Sequence, residues 1–271
     1  MLKLYTFHNS ICTQKVFITL AEKQIEYVTH NVNLFTNEQF SPEYLKINPK
    51  GVVPALDHDG RIVTESTLIC EYLDDMFPER RLVPADPFQR ARMRLWSKAV
   101  DENLFEATRE LSFSAMFRDR MKSMTPEQRE GRFRNVGDPI KRARLESAYA
   151  EGVESPYVYQ GIAAFETAFS KMEKDLQSSP WLLGSEMSLA DVNLMPFVAR
   201  IAYLDLLDIW IANRPATQSW WASVQKLPTF KASVPDKLEA ADFAAMATSG
   251  DKIKDRVAAL RDQYVAQCAA I

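Results

Sequence analysis

The chain has 271 residues, of which 46% are hydrophobic, and its formal net charge at pH 7 is −3. This length allows one large or two modest domains with real cores, and the near-neutral balance gives no reason to expect nucleic acid or an anionic membrane as partner. The three cysteines are widely spaced and form neither a disulfide framework nor a zinc pattern. We therefore expect no metal, and a reducing, cytoplasmic location. The first residues lead directly into a strand pattern, so we expect neither a signal peptide nor a membrane span.

The first 80 residues show apolar periodicities that predict the order β-α-β-α-β-β-α. Such an order is typical of a thioredoxin-like sheet with helices on both faces. The predicted elements are a strand at 2–7, a helix at Gln14–Lys23, a strand at Glu26–Asn33, a short helix before Pro49, strands at Val52–Leu56 and Ile62–Val63, and a helix from Ser66.

Residues 51–66 form the most informative segment. Pro54 directly precedes an apolar run, where proline indicates a special backbone, and a cis bond is one way to make it. Asp59-Gly60 is typical of a hairpin turn. Ser66 is a favourable N-cap for the helix that follows, and the free N–H groups of a helix N-terminus can bind an anion.

The rest of the chain is helical in character. A cluster of prolines around residues 78–87 predicts a linker, which separates a thioredoxin-like α/β domain at 1–80 from an all-α domain at 88–271. The predicted features of the second domain are a long helix at about Pro87–Arg109, an interrupted, mobile segment at 123–139, helices at 140–150 and 157–177, a capping box at Ser188–Asp191 that opens another helix, and a last amphipathic helix at 250–268.

The motifs at 45–66 resemble the glutathione site of the glutathione S-transferase superfamily. The matching residues are the Leu45–Gly51 stretch, Val53-Pro54 and Glu65-Ser66. The resemblance implies glutathione as co-substrate, bound by the backbone of Val53 before a cis Pro54 and by Glu65 and Ser66 at its γ-glutamyl end. It also places Gln39 at the glycyl carboxylate, and Asp101 at the glutathione amine across the interface of a homodimer.

Further motifs resemble one bacterial branch of that family, the glutathione-dependent β-aryl etherases. They are His58-Asp59-Gly60, Cys70-Glu71-Tyr72-Leu73, Pro84–Phe88, Arg94-Leu95-Trp96 with Val100-Asp101-Glu102, and Trp181–Gly184. This likeness implies thiolate attack on a small hydrophobic, aromatic electrophile. The sharper hypothesis is displacement of a phenol beside a ketone, which needs no metal or other cofactor.

Three residues in the loop before the first helix are candidates for the reaction at the glutathione sulfur. A free thiol is mostly protonated at neutral pH, so a hydroxyl donor and a helix N-terminus would both help to ionise it. By resemblance to serine-type transferases the donor is Ser10, whereas the etherase branch points to Thr13 instead. Cys12 could form a mixed disulfide with glutathione, which would make the protein a thiol reductase or lyase.

The electrophile is expected in a pocket between the two domains. Apolar and aromatic side chains suit a flat, apolar substrate, and the candidates are His8, Phe113, Met116, Phe117 and Tyr203. A further alternative is a protein that keeps the fold and binds a ligand without turnover. The presence of Ser10, Glu65 and Ser66 together argues against that alternative.

Overall fold

A computed structural model describes residues 1–270 of the chain and confirms the predicted order of elements in the N-terminal part. Four strands form one mixed sheet in the order β2-β1-β3-β4. The elements are β1 (Leu2–Thr6), α1 (Ile11–Glu22), β2 (Val28–Asn31), α2 (Pro42–Leu45), β3 (Ala55–His58), β4 (Arg61–Thr64) and α3 (Ser66–Met76), with a 3₁₀ turn at Glu38–Phe40. The thioredoxin-like prediction therefore holds.

Strand β1 lies inside the sheet and joins its parallel and antiparallel parts. It pairs in parallel with β2 and antiparallel with β3, and β3 continues into β4 through the predicted Asp59-Gly60 turn. Leu4 and Leu56 face each other across the β1–β3 pair, and neither has exposed surface. All four residues of β2 are exposed, as expected of an edge strand.

Several predicted element limits are wrong by a few residues. Helix α1 begins at Ile11 rather than Gln14, because Ser10 already supplies its N-cap. Strand β3 begins at Ala55 rather than Val52, because the Val53–Pro54 bond is cis and interrupts the extended backbone before it. Ser66 is the first helical residue of α3 and not its N-cap, a position taken by Glu65 with a φ of 69°.

The helical part begins as one run broken by two π-helical turns, at Val100–Leu104 and Phe113–Phe117. The predicted long helix is thus interrupted, and the segment at 123–139, expected to be irregular, contains a helix. The helices are α4 (Pro87–Ala99), α5 (Phe105–Ser112), α6 (Arg118–Lys122), α7 (Pro126–Arg134), α8 (Pro139–Glu151), α9 (Pro156–Asp175), α10 (Leu189–Tyr203), α11 (Asp208–Ile211), α12 (Pro215–Lys226), α13 (Pro228–Ser233) and α14 (Ala240–Ala269).

Contacts between residues divide the chain into two compact units. The first unit comprises Met1–Lys98, Asp175–Pro196 and Ser219–Glu239, and the second unit comprises the remaining segments. The predicted domain limits at 80 and 88 stay a prediction. Of the helices within residues 1–270, none has the length and apolar character needed to cross a bilayer.

The interior of the first unit is held by two buried carboxylates. Asp74 accepts hydrogen bonds from Lys23 Nζ at 2.8 Å, from the Leu82 backbone at 2.8 Å and from the Val83 backbone at 3.2 Å. It thereby ties the predicted linker to α1 and α3. The second carboxylate, Asp191, belongs to the predicted capping box at the start of α10.

The second unit contains a buried charge cluster around Glu166 of α9. Arg214 and Arg261 both donate to this carboxylate, Arg261 Nε at 2.8 Å from Oε2. Burial alone would raise the pKa of Glu166, but the hydrogen bonds from the two guanidinium groups outweigh it and lower the pKa below its usual value. The carboxylate is therefore ionised at neutral pH and cross-links α9 to the segment before α12 and to α14.

Candidate active site

The sheet register brings three predicted site segments to one edge of the sheet. Tyr5 near the end of β1 faces Ala55 at the start of β3, and Ala55 faces Thr64 at the end of β4. Consequently the loop after β1, the cis peptide before β3 and the turn after β4 all lie at this edge. The loop holds Ser10, the cis peptide is Val53–Pro54, and the turn is Glu65-Ser66.

Ser10 sits at the N-terminus of α1 in a conformation suited to a donor. Its backbone is extended, with φ −82° and ψ 117°, and its Oγ accepts a hydrogen bond from the Thr13 backbone at 3.3 Å. Because this contact uses the oxygen as acceptor, the hydroxyl hydrogen can still point to a ligand. No acidic residue lies in the first turn of α1, so the positive end of the helix dipole is not neutralised there.

The other two candidates at this turn differ in exposure. Thr13 has no exposed surface, and within residues 1–270 its hydroxyl oxygen has no hydrogen-bond partner. Cys12, the second residue of α1, is partly exposed. A hydroxyl enclosed by protein is poorly placed to contact a ligand sulfur, whereas Ser10 and Cys12 retain exposed surface.

The peptide before the cis proline is fixed by two side chains. Tyr44 Oη donates to the Val52 carbonyl at 2.8 Å, and Asn48 Nδ2 donates to the same oxygen at 2.7 Å. Within residues 1–270 the backbone N–H and carbonyl of Val53 make no hydrogen bond to protein. A buried residue with both backbone groups unsatisfied indicates a place for an extended ligand to pair.

Glu65 and Ser66 form the turn into α3. The φ of 69° at Glu65 lies in the left-handed region, which a residue other than glycine adopts only when its surroundings hold it there. The Glu65 carboxylate is half exposed and pairs with Lys50 Nζ at 2.5 Å, while Ser66 is buried. No acidic residue occupies the first turn of α3, so its N-terminus is open to an anion.

Gln39 lies in the 3₁₀ turn that packs against Gly51. A Cβ at Gly51 would be 2.8 Å from the Phe40 ring and 3.2 Å from the Gln39 carbonyl, so only glycine fits this contact. Gly51 also has a φ of 61°. Gln39 Oε1 is buried and without a hydrogen-bond partner inside residues 1–270.

All the remaining candidates except His8 lie in the second unit, several of them in the two π-helical turns. Asp101 is exposed in the turn at Val100–Leu104, and Phe113, Met116 and Phe117 lie in the turn at Phe113–Phe117. Single π-helical turns inside α-helices occur often at functional sites. These turns were not predicted, since their residues lie inside a longer helical run.

Aromatic packing surrounds these pocket candidates. Phe113 and Phe117 belong to an apolar cluster with Met121, Phe133 and Tyr149. Tyr203 meets Phe243 of α14 edge to face, with ring centroids 4.9 Å apart. Burial raises the pKa of Tyr203 to about 12, so its hydroxyl stays protonated and can donate a hydrogen bond.

His8, His58 and Lys15 differ in their exposure to solvent. His8 is exposed beside Phe7, as expected for a loop position. His58 is mostly buried, and its Nδ1 lies 2.6 Å from Tyr72 Oη. Lys15, for which no role was predicted, is fully buried and donates a hydrogen bond to Thr67 at the start of α3.

Comparisons with known proteins agree with this geometry. Residues 9–76 match the family "Glutathione S-transferase, N-terminal domain", and residues 128–221 match "Glutathione S-transferase, C-terminal domain". Protein LigF from Sphingobium sp. (strain NBRC 103272 / SYK-6) is 37% identical over 194 residues, which cover 70% of this chain and 75% of LigF. The chain therefore belongs to the glutathione S-transferase family, and it is a glutathione-dependent enzyme with glutathione as co-substrate.

Two solved structures are similar as well. The crystal structure of the beta-etherase LigF from Sphingobium sp. strain SYK-6 superimposes with a TM-score of 0.75 and 31% identity, covering 86% of this chain and 98% of that one. A glutathione transferase homologue from sulfitobacter, solved with bound glutathione, has a TM-score of 0.62 and 26% identity. The alignment with this homologue covers 88% of this chain and 98% of the other.

Proposed function

We propose that this transferase cleaves β-aryl ethers that stand beside a ketone. The thiolate of glutathione attacks the carbon α to the carbonyl, the carbon–sulfur bond forms, and the carbon–oxygen bond to the aryl group breaks. The phenoxide leaves and takes up a proton. The ketone activates this carbon, so the protein need only supply the thiolate and hold the two reactants together.

The observation that carries this proposal is the arrangement at one sheet edge, combined with the likeness to a beta-etherase. Ser10 at the start of α1, the unsatisfied backbone of Val53, and the Glu65-Ser66 turn match the three parts of glutathione: thiol, cysteinyl backbone and γ-glutamyl end. Gln39, with its buried unsatisfied oxygen, is proposed at the glycyl end through its amide nitrogen. The similar LigF structure is that of a beta-etherase.

Ser10 rather than Thr13 is proposed as the donor to the glutathione sulfur. The Ser10 oxygen already accepts a hydrogen bond, which leaves its hydrogen for the thiolate, whereas Thr13 has no exposed surface. The N-terminus of α1 also stabilises the thiolate, since a helix N-terminus lowers the pKa of a nearby thiol.

The proposal is tested by phenol release from a β-aryl ether ketone. We expect the native protein to release phenol only when glutathione is present, and to form one glutathione thioether for each phenol. The assay follows phenol by chromatography and the thioether by mass. Transfer of glutathione to general aryl halides without any phenol release would reject the ether substrate while keeping the transferase.

Cys12 is the candidate for a second reaction, thiol reduction or lyase chemistry with glutathione. One variant distinguishes this reaction from ether cleavage. Cys12 is partly exposed at a helix N-terminus, the setting in which a thiol becomes reactive. Under the transferase proposal, Cys12→Ser keeps most of the phenol release. Loss of all activity in Cys12→Ser, together with a protein–glutathione mixed disulfide trapped in the native protein, would instead establish the reductase or lyase mechanism.

The electrophile is proposed to contact Phe113, Met116, Phe117 and Tyr203 of the second unit. Their aromatic and thioether groups suit a flat aryl ketone, and the protonated Tyr203 hydroxyl can donate to a carbonyl oxygen. The π-helical turn at Phe113–Phe117 supports this assignment, because such turns are enriched at functional sites.

A homodimer is proposed on the basis of exposed apolar side chains on α3 and α4. Leu68, Phe88 and Leu95 have exposed fractions of 57%, 70% and 62%, which is unusual for large apolar residues on neighbouring elements of one unit. In such a dimer Asp101 is proposed to reach the glutathione amine of the partner.

Leu95→Lys should shift the sedimenting mass from dimer to monomer. An unchanged dimer would place the interface elsewhere.

A reducing compartment such as the cytoplasm is proposed for the protein. Glutathione serves as co-substrate there in its thiol form. Within residues 1–270 none of Cys12, Cys70 and Cys268 takes part in a disulfide, which suits that compartment.

A further inference from the structure

The first unit contains two buried lysines that belong to the same helix. Lys15 lies within α1 and has 0% of its surface exposed, and Lys23 forms the C-cap of that helix, its side chain 1% exposed. A lysine is almost never fully buried unless its ammonium group is hydrogen-bonded or paired, because the charge is costly to remove from water. Each of the two positions therefore needs a structural or functional reason.

The two lysines contact opposite ends of α3. Lys15 Nζ donates to Thr67 Oγ1 at 2.6 Å in the first turn of that helix. Lys23 Nζ donates to Asp74 Oδ1 at 2.8 Å in its last turns. α1 and α3 pack against each other along their length, so the two hydrogen bonds fix one helix against the other at both ends.

Only the Lys15 contact adjoins the proposed glutathione site. Thr67 directly follows Ser66, and Ser66 follows Glu65, whose φ of 69° must be held by its surroundings. Fixing Thr67 therefore restrains the direction in which the Ser66 side chain and the first backbone N–H groups of α3 point. The Lys23 contact lies at the far end of α3 and bears on the linker segment at Leu82-Val83 instead.

We infer that Lys15 is a positioning residue for glutathione, which acts through its hydrogen bond to Thr67 on the Glu65-Ser66 turn. The inference rests on the proposed function, because it assumes that this turn takes the γ-glutamyl end. Lys15 does not contact the ligand in this role. It keeps the turn in the orientation that binds the ligand, while Lys23 contributes to stability alone.

The test compares Lys15→Met with Lys23→Met, two substitutions that each remove one buried ammonium group from the same helix. Loss of a hydrogen bond from a charged group commonly weakens an interaction by about tenfold or more, so we expect Lys15→Met to raise the KM for glutathione about tenfold. The kcat at saturating glutathione should stay near the native value, because Ser10 is unaltered. Lys23→Met should lower the thermal midpoint and leave the KM for glutathione unchanged.

Thr67 provides a second pair of variants that leaves Lys15 in place. Thr67→Val removes the acceptor at nearly constant volume and should reproduce the rise in the KM for glutathione. Thr67→Ser keeps the hydroxyl and should have the native KM. These variants decide the question even where Lys15→Met does not fold. In the double variant, Lys15→Met with Thr67→Val, the increases in KM should be far from additive.

Three results separate this inference from the proposed function. If the native protein uses glutathione and all four single variants share its KM, Lys15 has no positioning role. The same conclusion follows if Lys23→Met raises the KM as much as Lys15→Met does. If the native protein binds glutathione but protection from solvent exchange on binding falls outside the turn at Glu65–Thr67, the proposed site itself is wrong.

Discussion

Replacing Ser10 with alanine is expected to lower kcat/KM for glutathione transfer by about 10²- to 10³-fold, the range found when one donor to a reacting anion is removed. The reason is the loss of the hydroxyl that would stabilise the glutathione thiolate. The thiol pKa of bound glutathione should rise, because the charged form loses its donor. Ultraviolet absorbance of the thiolate, titrated on the complex, measures that pKa directly.

A matched control separates two effects of Ser10→Ala: the lost donor to the thiolate and the lost helix cap. Thr125 caps α7 as Ser10 caps α1, and each side-chain oxygen accepts a backbone hydrogen bond at 3.3 Å. Ser10→Ala and Thr125→Ala should each cost about 1 kcal/mol of stability through the lost cap. Only Ser10→Ala should lose activity, and Ser10→Thr should recover part of it. Full activity in Ser10→Ala would transfer the role to another residue of this loop.

Asp191→Ala should be the most destabilising of the substitutions discussed, with a loss of about 3–5 kcal/mol in the free energy of unfolding. The Asp191 carboxylate has no exposed surface. It accepts hydrogen bonds at 3.0 Å from four donors: the backbone of Leu182, the backbone and hydroxyl of Ser188, and Nε1 of Trp220. Alanine would leave these buried donors without partners, and urea denaturation followed by tryptophan fluorescence would measure the loss.

The neighbouring Ser188 supplies the comparison for that prediction. Its hydroxyl also caps α10, accepting a hydrogen bond from the Ala190 backbone at 3.2 Å. Ser188→Ala should therefore cost only about 1 kcal/mol, as for an ordinary cap. Nearly equal losses in the two variants would mean that Asp191 acts as a helix cap alone, and that its bonds to Leu182 and Trp220 contribute little.

The sequence predicted the local features that depend on neighbouring residues. Apolar periodicity predicted the β-α-β-α-β-β-α order, Asp59-Gly60 predicted the hairpin turn, and Ser188–Asp191 predicted the start of α10. These features follow from backbone preferences and short-range hydrogen bonds, which the residues themselves specify. The family resemblance, which depends on the same short motifs, is confirmed by the family matches.

Long-range contacts decided what the sequence could not. The hydrogen bonds that Asp191 accepts join segments as distant as Leu182 and Trp220. No local sequence pattern predicts these bonds. The two π-helical turns also escaped prediction, because each is a single five-residue turn inside a longer helical run. The burial of Lys15 also depends on a long-range contact, because its Nζ donates to Thr67, 52 residues further along the chain.

By itself, therefore, the sequence determined the family, the order of elements in the first 80 residues and the short motifs that carry the candidate glutathione site. Only the tertiary structure decided how those segments are held. Strand register brought Ser10, Val53 and Glu65 to one edge, and burial distinguished the partly exposed Ser10 from the enclosed Thr13. Register and burial depend on which distant residues pack together. This packing is a property of the folded chain and is not encoded in any short stretch of sequence.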